Sequence, residues 1–545
     1  QMKIKILYFI FLCAATSIYS QQTRISGTVT SSEDNSPIAG ANILIQGKNT
    51  GTSTDFDGNY ELFVNKEDSI NISYIGFDTQ TIVINNQTKV NITLTPDNEL
   101  LDEIVVIGYG TQNKKEVTGA VSVVNSKTIE KLNPTRIEQA LQGQISGVNI
   151  TSSSGAPGAS ANIRIRGIST NGDSRPLILV DGNPITELSV INPNDIKSVN
   201  VLKDATAGIY GVRAANGVIL IETKTGRKNS DLKVTVDSYV AYQQTSKSID
   251  VLGATEFAQY INDVTGKNKY FIKNGLIYEP KISAITPLNV NEGWQKGVFE
   301  IAPMYNSNVN ISGGTEKLAY SFGTSYLNQD GIVGREKSNY NRLTARANLK
   351  YDVLDNLKIS ATAIYTREKK NSLPEGGIGA VLYNAINADP LTPIFDPIDK
   401  NDGFDDIRYG YDIVQTSAIE VFNPNSQIAN TYNRSFTDKI SPTLGIDYTL
   451  LQNFTITSKF RYNYAVVNTE IMRPLVYYGK SKQATKITRN SYSEDKDTYQ
   501  DYTWDNYITY KNTFNKDHNL TVLLAASLWR EKGKFDGNSG ENLTV

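Results

Sequence analysis

Strict alternation of apolar and polar residues dominates the chain from about residue 230 onward. In residues 342–351 every second residue is apolar, and the residues between them are Arg, Lys, Thr or Asn. The pattern returns in 357–366, 454–463 and 520–528. Because successive side chains of a strand point to opposite faces, each segment predicts a strand with one apolar and one polar face.

Strands of about ten residues with this alternation are typical of a transmembrane β-barrel, whose apolar face contacts lipid. A soluble sandwich also alternates. Two features favour the barrel: Arg and Lys recur on one continuous face, and short turns alternate with long connections. About nine candidate strands fit into this region, whereas plugged barrels use about 22. We therefore expect residues 229–545 to form the first part of an antiparallel barrel, in a chain truncated within it.

Residues 22–97 contain short apolar runs at strand spacing, separated by turn signals. About six or seven strands in so short a segment predict a small β-sandwich. One turn, Asp55-Phe56-Asp57-Gly58-Asn59, suggests calcium binding by its acidic residues. However, an EF-hand loop needs Gly at its sixth position, and strands flank this segment where helices would be needed. We favour a tight Asp-Gly hairpin turn.

Residues 113–228 mix helical and strand patterns, which predicts an α+β domain. Asn133 and Pro134 are expected to begin a helix, as cap and first-turn residue. Apolar residues follow at helical spacing: Ile137, Ala140, Leu141 and Ile145. Strand patterns lie at 148–150, 163–165, 177–180, 198–202 and 217–223.

Several charged residues and glycines of this domain lie in the predicted strands or next to them: Arg164, Arg166, Gly167, Asp181, Gly182, Asp204 and Gly217. They are either ligand-binding residues or structural ones. We favour structural roles, in turns and in contacts with the barrel wall, because charges that are buried or face a lumen are usually paired.

The segment 100–112, LLDEIVVIGYGTQ, lies between these two domains. An acidic pair precedes a β-branched apolar run that ends at glycine, which predicts a strand. No obvious partner for this strand stands beside it in the sequence. We interpret it as a recognition strand that pairs with another protein through main-chain hydrogen bonds. The residues expected to make this contact are Asp102, Glu103, Ile104, Val105 and Val106.

Composition excludes several functions. The chain has 54 basic and 56 acidic residues, so it lacks the basic footprint of a nucleic-acid-binding protein. The single Cys13 and the single His518 exclude an intramolecular disulfide and a metal site built from Cys and His. We predict no catalytic residue, no metal and no cofactor. Two lysines and an apolar run within residues 1–20 indicate a secretory signal peptide.

The motifs NIRIRG, LILVDG and INPNDIKSVNVLKDATAGIYGVRAANGVILIETKTG resemble the plug domain of TonB-dependent outer-membrane receptors, and most closely that of the SusC/RagA family of the Bacteroidetes. ISGTVTSSEDNSPIAGANILIQG resembles the carboxypeptidase regulatory-like domain that precedes the plug in that family. The resemblance implies a signal peptide (1–20), a regulatory-like sandwich (22–97), a TonB box and linker (100–112), a plug (113–228) and a partial barrel (229–545).

The resemblance also implies location and partners. The protein would lie in the cell outer membrane, surrounded by its lipid, with the N-terminal domains in the periplasm or the barrel lumen. TonB, energised by ExbB and ExbD, would pair with 102–106, and a SusD-like surface lipoprotein would cover the barrel. The ligand would be an oligosaccharide or a peptide. One alternative is a ligand-binding or signalling receptor without import. A remote one is an exported glycan-active enzyme, for which no convergent acid pair emerges.

Overall fold

The computed structural model describes residues 23–543 except for a set of internal gaps. These gaps are at 33, 49, 75–76, 86, 96–103, 108–109, 114–120, 204, 279–292, 392–394, 397–407, 410–420, 478–485, 488 and 516–517. The predicted signal peptide lies outside the described residues. The chain divides into two compact units, Gln1–Thr118 and Gly119–Val545. Strands dominate both units, and the predicted mainly β fold class is confirmed.

The first unit contains a small β-sandwich. Its strands are β1 (Thr23–Ser31), β2 (Asn42–Ile45), β3 (Gly51–Ser53), β4 (Asn59–Val64), β5 (Ser69–Ser73), β6 (Gln80–Val83) and β7 (Ile92–Leu94). They form two sheets in the orders β4-β1-β7 and β3-β2-β5-β6. Every second residue of most strands is buried, and these residues form one apolar cluster that includes Ile25, Ile43, Ile70 and Leu94. The alternation in the sequence therefore places the core between the sheets.

The turn at residues 55–59 connects strands of different sheets, because β3 and β4 belong to separate sheets. A simple hairpin between paired strands was therefore the wrong expectation, although the turn is tight. The Asp55 carboxylate accepts hydrogen bonds from the backbone N–H of Asp57 (3.0 Å) and of Asn59 (2.7 Å). Gly58 has φ +74°, and an added Cβ there would lie 2.7 Å from the Val29 carbonyl oxygen. The acidic side chain thus organises the turn itself.

Two further strands, β8 (Ile104–Ile107) and β9 (Gly110–Asn113), follow the sandwich in the sequence. They pair antiparallel, with Val105 opposite Gln112 and Val106 opposite Thr111. The expectation that this strand lacks a partner within the chain was wrong. Only two residues separate the strands and the first is glycine, a combination that favours a hairpin. One edge of β8 is paired in this way, and the two-stranded sheet contains no further strand among the described residues.

The second unit begins with the α+β domain, hereafter the plug. Its elements are β10 (Val121–Asn125), α1 (Ser126–Leu132), α2 (Ile137–Leu141), β11 (Val148–Ser152), β12 (Ala161–Ile165), β13 (Leu177–Val180), β14 (Asn183–Ile185), β15 (Ile196–Leu202) and β16 (Val218–Thr223). The main sheet has the order β10-β15-β16-β13-β14, and β11 pairs with β12. Only β13 and β16 pair in parallel within this sheet. Helices α1 and α2 cover one face of it with apolar residues.

The helix boundary predicted at Asn133 was wrong. Helix α1 begins earlier, where the Asn125 side chain accepts a hydrogen bond from Thr128 N–H (3.0 Å). Asn133 ends that helix in the left-handed conformation (φ 43°), which Asn tolerates better than most residues. Helix α2 then begins at Ile137 after the extended residue Arg136. The predicted helix is therefore shorter than expected, Ile137–Leu141, and a separate short helix, α1, precedes the Asn-Pro connection.

A nine-stranded antiparallel sheet, hereafter the wall, follows the plug. The strands of this region are β17 (Ser230–Gln243), β18 (Phe271–Lys273), β19 (Leu276–Tyr278), β20 (Ala302–Gly314), β21 (Leu318–Asp330), β22 (Asn339–Leu354), β23 (Leu357–Asn371), β24 (Phe395–Asp396), β25 (Arg408–Tyr409), β26 (Tyr432–Leu450), β27 (Phe454–Arg473), β28 (Val476–Tyr477), β29 (Lys486–Ile487), β30 (Ser491–Phe514) and β31 (His518–Glu541). The wall has the order β17-β20-β21-β22-β23-β26-β27-β30-β31. Short turns alternate with long connections, as predicted.

Helices lie in the long connections of the wall. They are α3 (Ala254–Thr265), α4 (Trp294–Val298), α5 (Val381–Asn387) and α6 (Pro424–Ala429). The last three pack together through Trp294, Val298, Val381 and Ala385. No described helix reaches the length and hydropathy needed to cross a membrane.

Candidate functional site

The candidate site is the interface between the plug and the wall. On β22 the polar residues Arg342, Thr344 and Arg346 are only 1–3 % exposed, whereas the apolar Leu343 between them is 39 % exposed. In a soluble sheet the apolar residues would be buried and the polar residues exposed, so the burial pattern of β22 is the reverse. It follows because the polar face of the wall meets the plug and the apolar face points away from it, as the alternation predicted.

A buried ion pair connects the plug to β22. Arg346 Nη2 lies 3.2 Å from Asp195 Oδ1, and the two side chains are 1 % and 7 % exposed. The same guanidinium donates to the Lys224 carbonyl oxygen (2.6 Å) and to Ser321 Oγ (3.1 Å). Gly323 leaves room for the carboxylate, since an added Cβ there would lie 2.4 Å from Asp195 Oδ1. Ionic, main-chain and steric contacts therefore all hold the plug against the wall at Arg346.

Neighbouring contacts extend the attachment along β22 and β23. Arg342 Nη2 donates to the Thr135 carbonyl oxygen of the plug (3.1 Å). Thr366 Oγ1 donates to the Val190 carbonyl oxygen (2.7 Å). Ile364, an apolar residue on the polar face of its strand, belongs to the apolar core of the plug. The wall thus contributes directly to the plug's core.

A third group of contacts lies further along the wall, on β26 and β27. Lys439 Nζ lies 2.9 Å from Glu187 Oε2, and this positive charge lowers the pKa of the Glu187 carboxyl. Asn463 Nδ2 donates to the Pro184 carbonyl oxygen (2.9 Å), and its Oδ1 accepts from Asn183 Nδ2 (2.9 Å). The plug is therefore held by polar side chains on several consecutive strands.

Asp181 and Gly182 form the two-residue turn between β13 and β14. Their φ angles are +48° and +79°, which a type I′ hairpin turn requires. The Asp181 carboxylate accepts from the backbone N–H (2.9 Å) and the hydroxyl (2.7 Å) of Thr223, so it ties the turn to β16. Burial raises the pKa of Asp181. An added Cβ at Gly182 would lie 3.2 Å from Arg461 Nη2, so this turn approaches the wall closely.

Arg164 and Arg166 lie on β12 and just beyond its end. Arg164 Nη1 donates to the adjacent Ile163 carbonyl oxygen (2.9 Å). Arg166 has φ +56°, and its backbone N–H donates to the Gly147 carbonyl oxygen (2.8 Å). The structure does not bring these two arginines together with Asp181 into one cluster.

The predicted glycines lie in the turns that flank the plug's strands. Gly167 has φ +91°. Gly217 has φ +87°, and an added Cβ would lie 2.8 Å from Ile165 Cδ1, so a side chain would clash immediately before β16. Asp204 lies outside the described residues.

The predicted recognition segment is described in part. Asp102 and Glu103 lie outside the described residues, and Ile104, Val105 and Val106 belong to β8. Among the described residues, no group of three or more His, Cys, Asp or Glu side chains is placed to hold a metal ion.

Sequence reasoning missed the residues that attach the plug. Alternation indicated that Arg342 and Arg346 share the polar face, but it gave no partner for either. Asp195 stood only within one of the motifs that resemble the plug, and it is the last residue of a 3₁₀ turn, Pro193–Asp195. The isolated Ile364 on a polar face was the available signal of a contact with the plug's core.

Two domain families match this sequence. The TonB-dependent receptor plug domain matches residues 113–218. The CarboxypepD_reg-like domain matches residues 25–106. The first range covers most of the plug, and the second covers the sandwich and reaches into β8.

Curated relatives extend the similarity across the wall. TonB-dependent receptor P26 of Formosa agariphila is 33 % identical over 92 % of this chain and 48 % of the relative. TonB-dependent receptor SusC of Bacteroides thetaiotaomicron is 34 % identical over 74 % of this chain and 39 % of the relative. The chain thus spans about half the length of the curated relatives it matches or less.

Among solved structures, the RagAB peptide importer in its open-open state has a TM-score of 0.66. It is 23 % identical, with 80 % of this chain and 50 % of that chain covered. This likeness shows a shared fold.

Proposed function

Because the chain belongs to the SusC/RagA family of TonB-dependent outer-membrane receptors, we propose that the complete protein imports oligosaccharides or peptides across the outer membrane. The observation that carries the proposal is the polar interface between plug and wall. Polar side chains of the wall hold the plug on the inner face, while the apolar face is free to contact lipid. Import through such a structure requires that the plug be shifted or partly unfolded.

We propose that TonB supplies the energy for this movement by pairing with β8. The structure supports this through the free edge of the β8–β9 hairpin. Hydrogen-bonded and non-hydrogen-bonded pairs alternate along an antiparallel ladder, and a two-residue connection is closed by a hydrogen-bonded pair. Ile107 and Gly110 close this connection. The N–H of Val105 then points toward β9, and those of Ile104 and Val106 point to the free edge.

Proline substitutions test this proposal, since proline removes one backbone N–H. In the full-length protein, Val106→Pro removes a donor from the free edge and leaves the hairpin ladder complete. We expect it to abolish ligand uptake by cells and to leave ligand binding by the purified protein unchanged. Lys89→Pro in the sandwich is a control for a proline placed outside β8.

The outcome that contradicts the TonB assignment is uptake at the parental rate with Val106→Pro. Val105→Pro separates the two edges of β8, because it breaks the ladder with β9 instead. If Val105→Pro alone abolishes uptake, the hairpin matters and the free edge does not.

We also propose a SusD-like surface lipoprotein as the partner that covers the outer end of the barrel. The family membership supports this, since such a lipoprotein accompanies these receptors. Co-purification of the full-length receptor from the outer membrane tests it. A receptor that transports its ligand without any associated lipoprotein would contradict this part of the proposal.

A further inference from the structure

Three exposed aromatic residues lie on the inner face of the last two wall strands: Tyr499, Trp529 and Phe535, hereafter the aromatic strip. The register pairs Thr503 with Trp529, Tyr499 with Gly533 and Asp497 with Phe535, so all three aromatics share one face. The plug identifies that face as the inner one. Arg213 of the plug places its guanidinium carbon 4.6 Å from the centre of the Trp529 ring.

The aromatic strip begins at the plug and continues away from it toward the long connections. The rings of Tyr499 and Phe535 lie 5.7 Å apart in an edge-to-face arrangement. Gly533 lies under them, and an added Cβ there would lie 3.1 Å from the Phe535 ring. Tyr499 is 42 % exposed and Phe535 is 68 % exposed. Large ring surfaces therefore face the lumen.

Carboxylates flank the aromatic strip on the same face. Asp501 lies directly opposite Glu531, and Asp497 lies opposite Phe535. Asp501 accepts a hydrogen bond from Asn463 Nδ2 (2.9 Å). The nearby cations are engaged, since Arg213 stacks on Trp529 and Lys439 pairs with Glu187. The surface around the strip is thus aromatic and acidic.

We propose that the aromatic strip and its flanking carboxylates form a subsite for a neutral sugar ring of an oligosaccharide. The apolar C–H face of a sugar packs against an aromatic ring, and its hydroxyls donate hydrogen bonds to carboxylates. The acidic surroundings disfavour uronic acids and sulfated sugars, because like charges repel. This subsite rests on the proposed import function and names its substrate class.

Side chains, and not the backbone of the wall, supply the groups for recognition at this position. Strand β30 pairs continuously with β27 on one side and with β31 on the other. The backbone of β30 is therefore not available for strand addition by a ligand. Sugar recognition needs only side chains, which the aromatic strip supplies.

Binding by the full-length protein in detergent tests the subsite without TonB. The probes are neutral gluco-, manno- and xylo-oligosaccharides at millimolar concentration, a uronic-acid oligosaccharide and a cationic peptide. We expect at least one neutral probe to bind, and Tyr499→Ala and Phe535→Ala each to weaken that binding about tenfold. Tyr499→Phe should retain it, since the ring is kept. Trp504→Ala is the matched control, because Trp504 lies on the opposite face of the same strand.

Hydroxyl-radical labelling of the unmutated protein gives a second readout that does not depend on variants folding. We expect the neutral probe to protect Tyr499 and Trp529 and to leave the extent of labelling at Trp504 unchanged. The subsite is overturned if no neutral probe binds, if binding survives both alanine substitutions, or if only the peptide or the acidic probe protects the strip. Loss of uptake with intact binding in Val106→Pro concerns the import proposal alone, so the two failures are distinguishable.

Discussion

Neutralising Asp195 should loosen the plug, because its carboxylate is the buried partner of Arg346. At a separation of 3.2 Å and an effective dielectric constant of about 20, the Coulomb energy of the pair is about 5 kcal/mol before desolvation. Removing one member of a buried pair typically costs about 3–5 kcal/mol. Arg346 would retain its bonds to Lys224 and Ser321, which favours the lower end of that range. For Asp195→Asn we therefore expect a loss of about 3 kcal/mol.

Hydrogen exchange of the full-length protein in detergent measures this loss as faster exchange of the amides of β15 and β16. A loss of about 3 kcal/mol corresponds to exchange faster by roughly two orders of magnitude. The matched control is Asp173→Asn. Asp173 also pairs with an arginine of the plug, Arg175 (2.6 Å), but both side chains are 60 % exposed. Exposed pairs contribute about 0–1 kcal/mol, so this control should change exchange little.

The double variant Asp195→Asn/Arg346→Met separates the ion pair from other effects of each substitution. We expect it to cost less than the sum of the two single variants, because neither charge is then left buried alone. Additive effects, or an Asp195→Asn variant that behaves like Asp173→Asn, would refute the assignment of this pair as an attachment point.

Further predictions concern single side chains. Asn200→Leu should stabilise the plug by about 1–2 kcal/mol in thermal unfolding, because both side-chain amide atoms are buried without a hydrogen-bond partner among the described residues. Destabilisation would contradict this. Lys439 lowers the pKa of Glu187 in the folded protein. The contact therefore stabilises the plug at pH values above the pKa of Glu187 in the unfolded chain. This stabilisation is lost as the pH falls through the lowered pKa of the folded protein. Exchange measured across that acidic range should lose this pH dependence in Glu187→Gln. Leu444→Lys, on the exposed apolar face, should cost about 2–4 kcal/mol in lipid-vesicle unfolding, whereas Thr449→Lys, on the polar face of the same strand, should cost little.

The wall was the most predictable part of the fold. Alternation predicted strands with one apolar and one polar face, because successive side chains of a strand point to opposite faces. The spacing between the alternating segments predicted the short and long connections. The expected count of about nine strands also agrees with the nine strands of the wall. The other six strands described in this region form two-stranded sheets in its long connections. The alternation is a local property of each strand, so it predicts the strand without information on what the polar face contacts.

Contacts between plug and wall were not predictable in the same way. Asp195 and Arg346 are distant in sequence, and a single sequence contains no information that pairs one buried charge with another. The other wrong predictions arose at residues whose type suits more than one local structure. Asn133 suits the end of a helix as well as its start, since Asn adopts the left-handed conformation readily. The glycine after Ile107 was interpreted as the end of a strand, whereas it also begins a two-residue connection.

Cysteine cross-linking in cells tests most directly the claim that TonB engages β8 of this receptor. Within residues 1–545 the single cysteine, Cys13, lies in the predicted signal peptide. Any cysteine of the full-length protein beyond these residues is first replaced by Ser, and Val106→Cys then supplies the one reactive thiol. A cysteine scan of the periplasmic domain of TonB supplies the partner. We expect disulfide-linked receptor and TonB for Val106→Cys, increased by transported ligand and lost when Ile104→Pro is added. A cross-link that is absent at every position of the scan, or equally strong for the sandwich control Lys89→Cys, would contradict the pairing of TonB with β8.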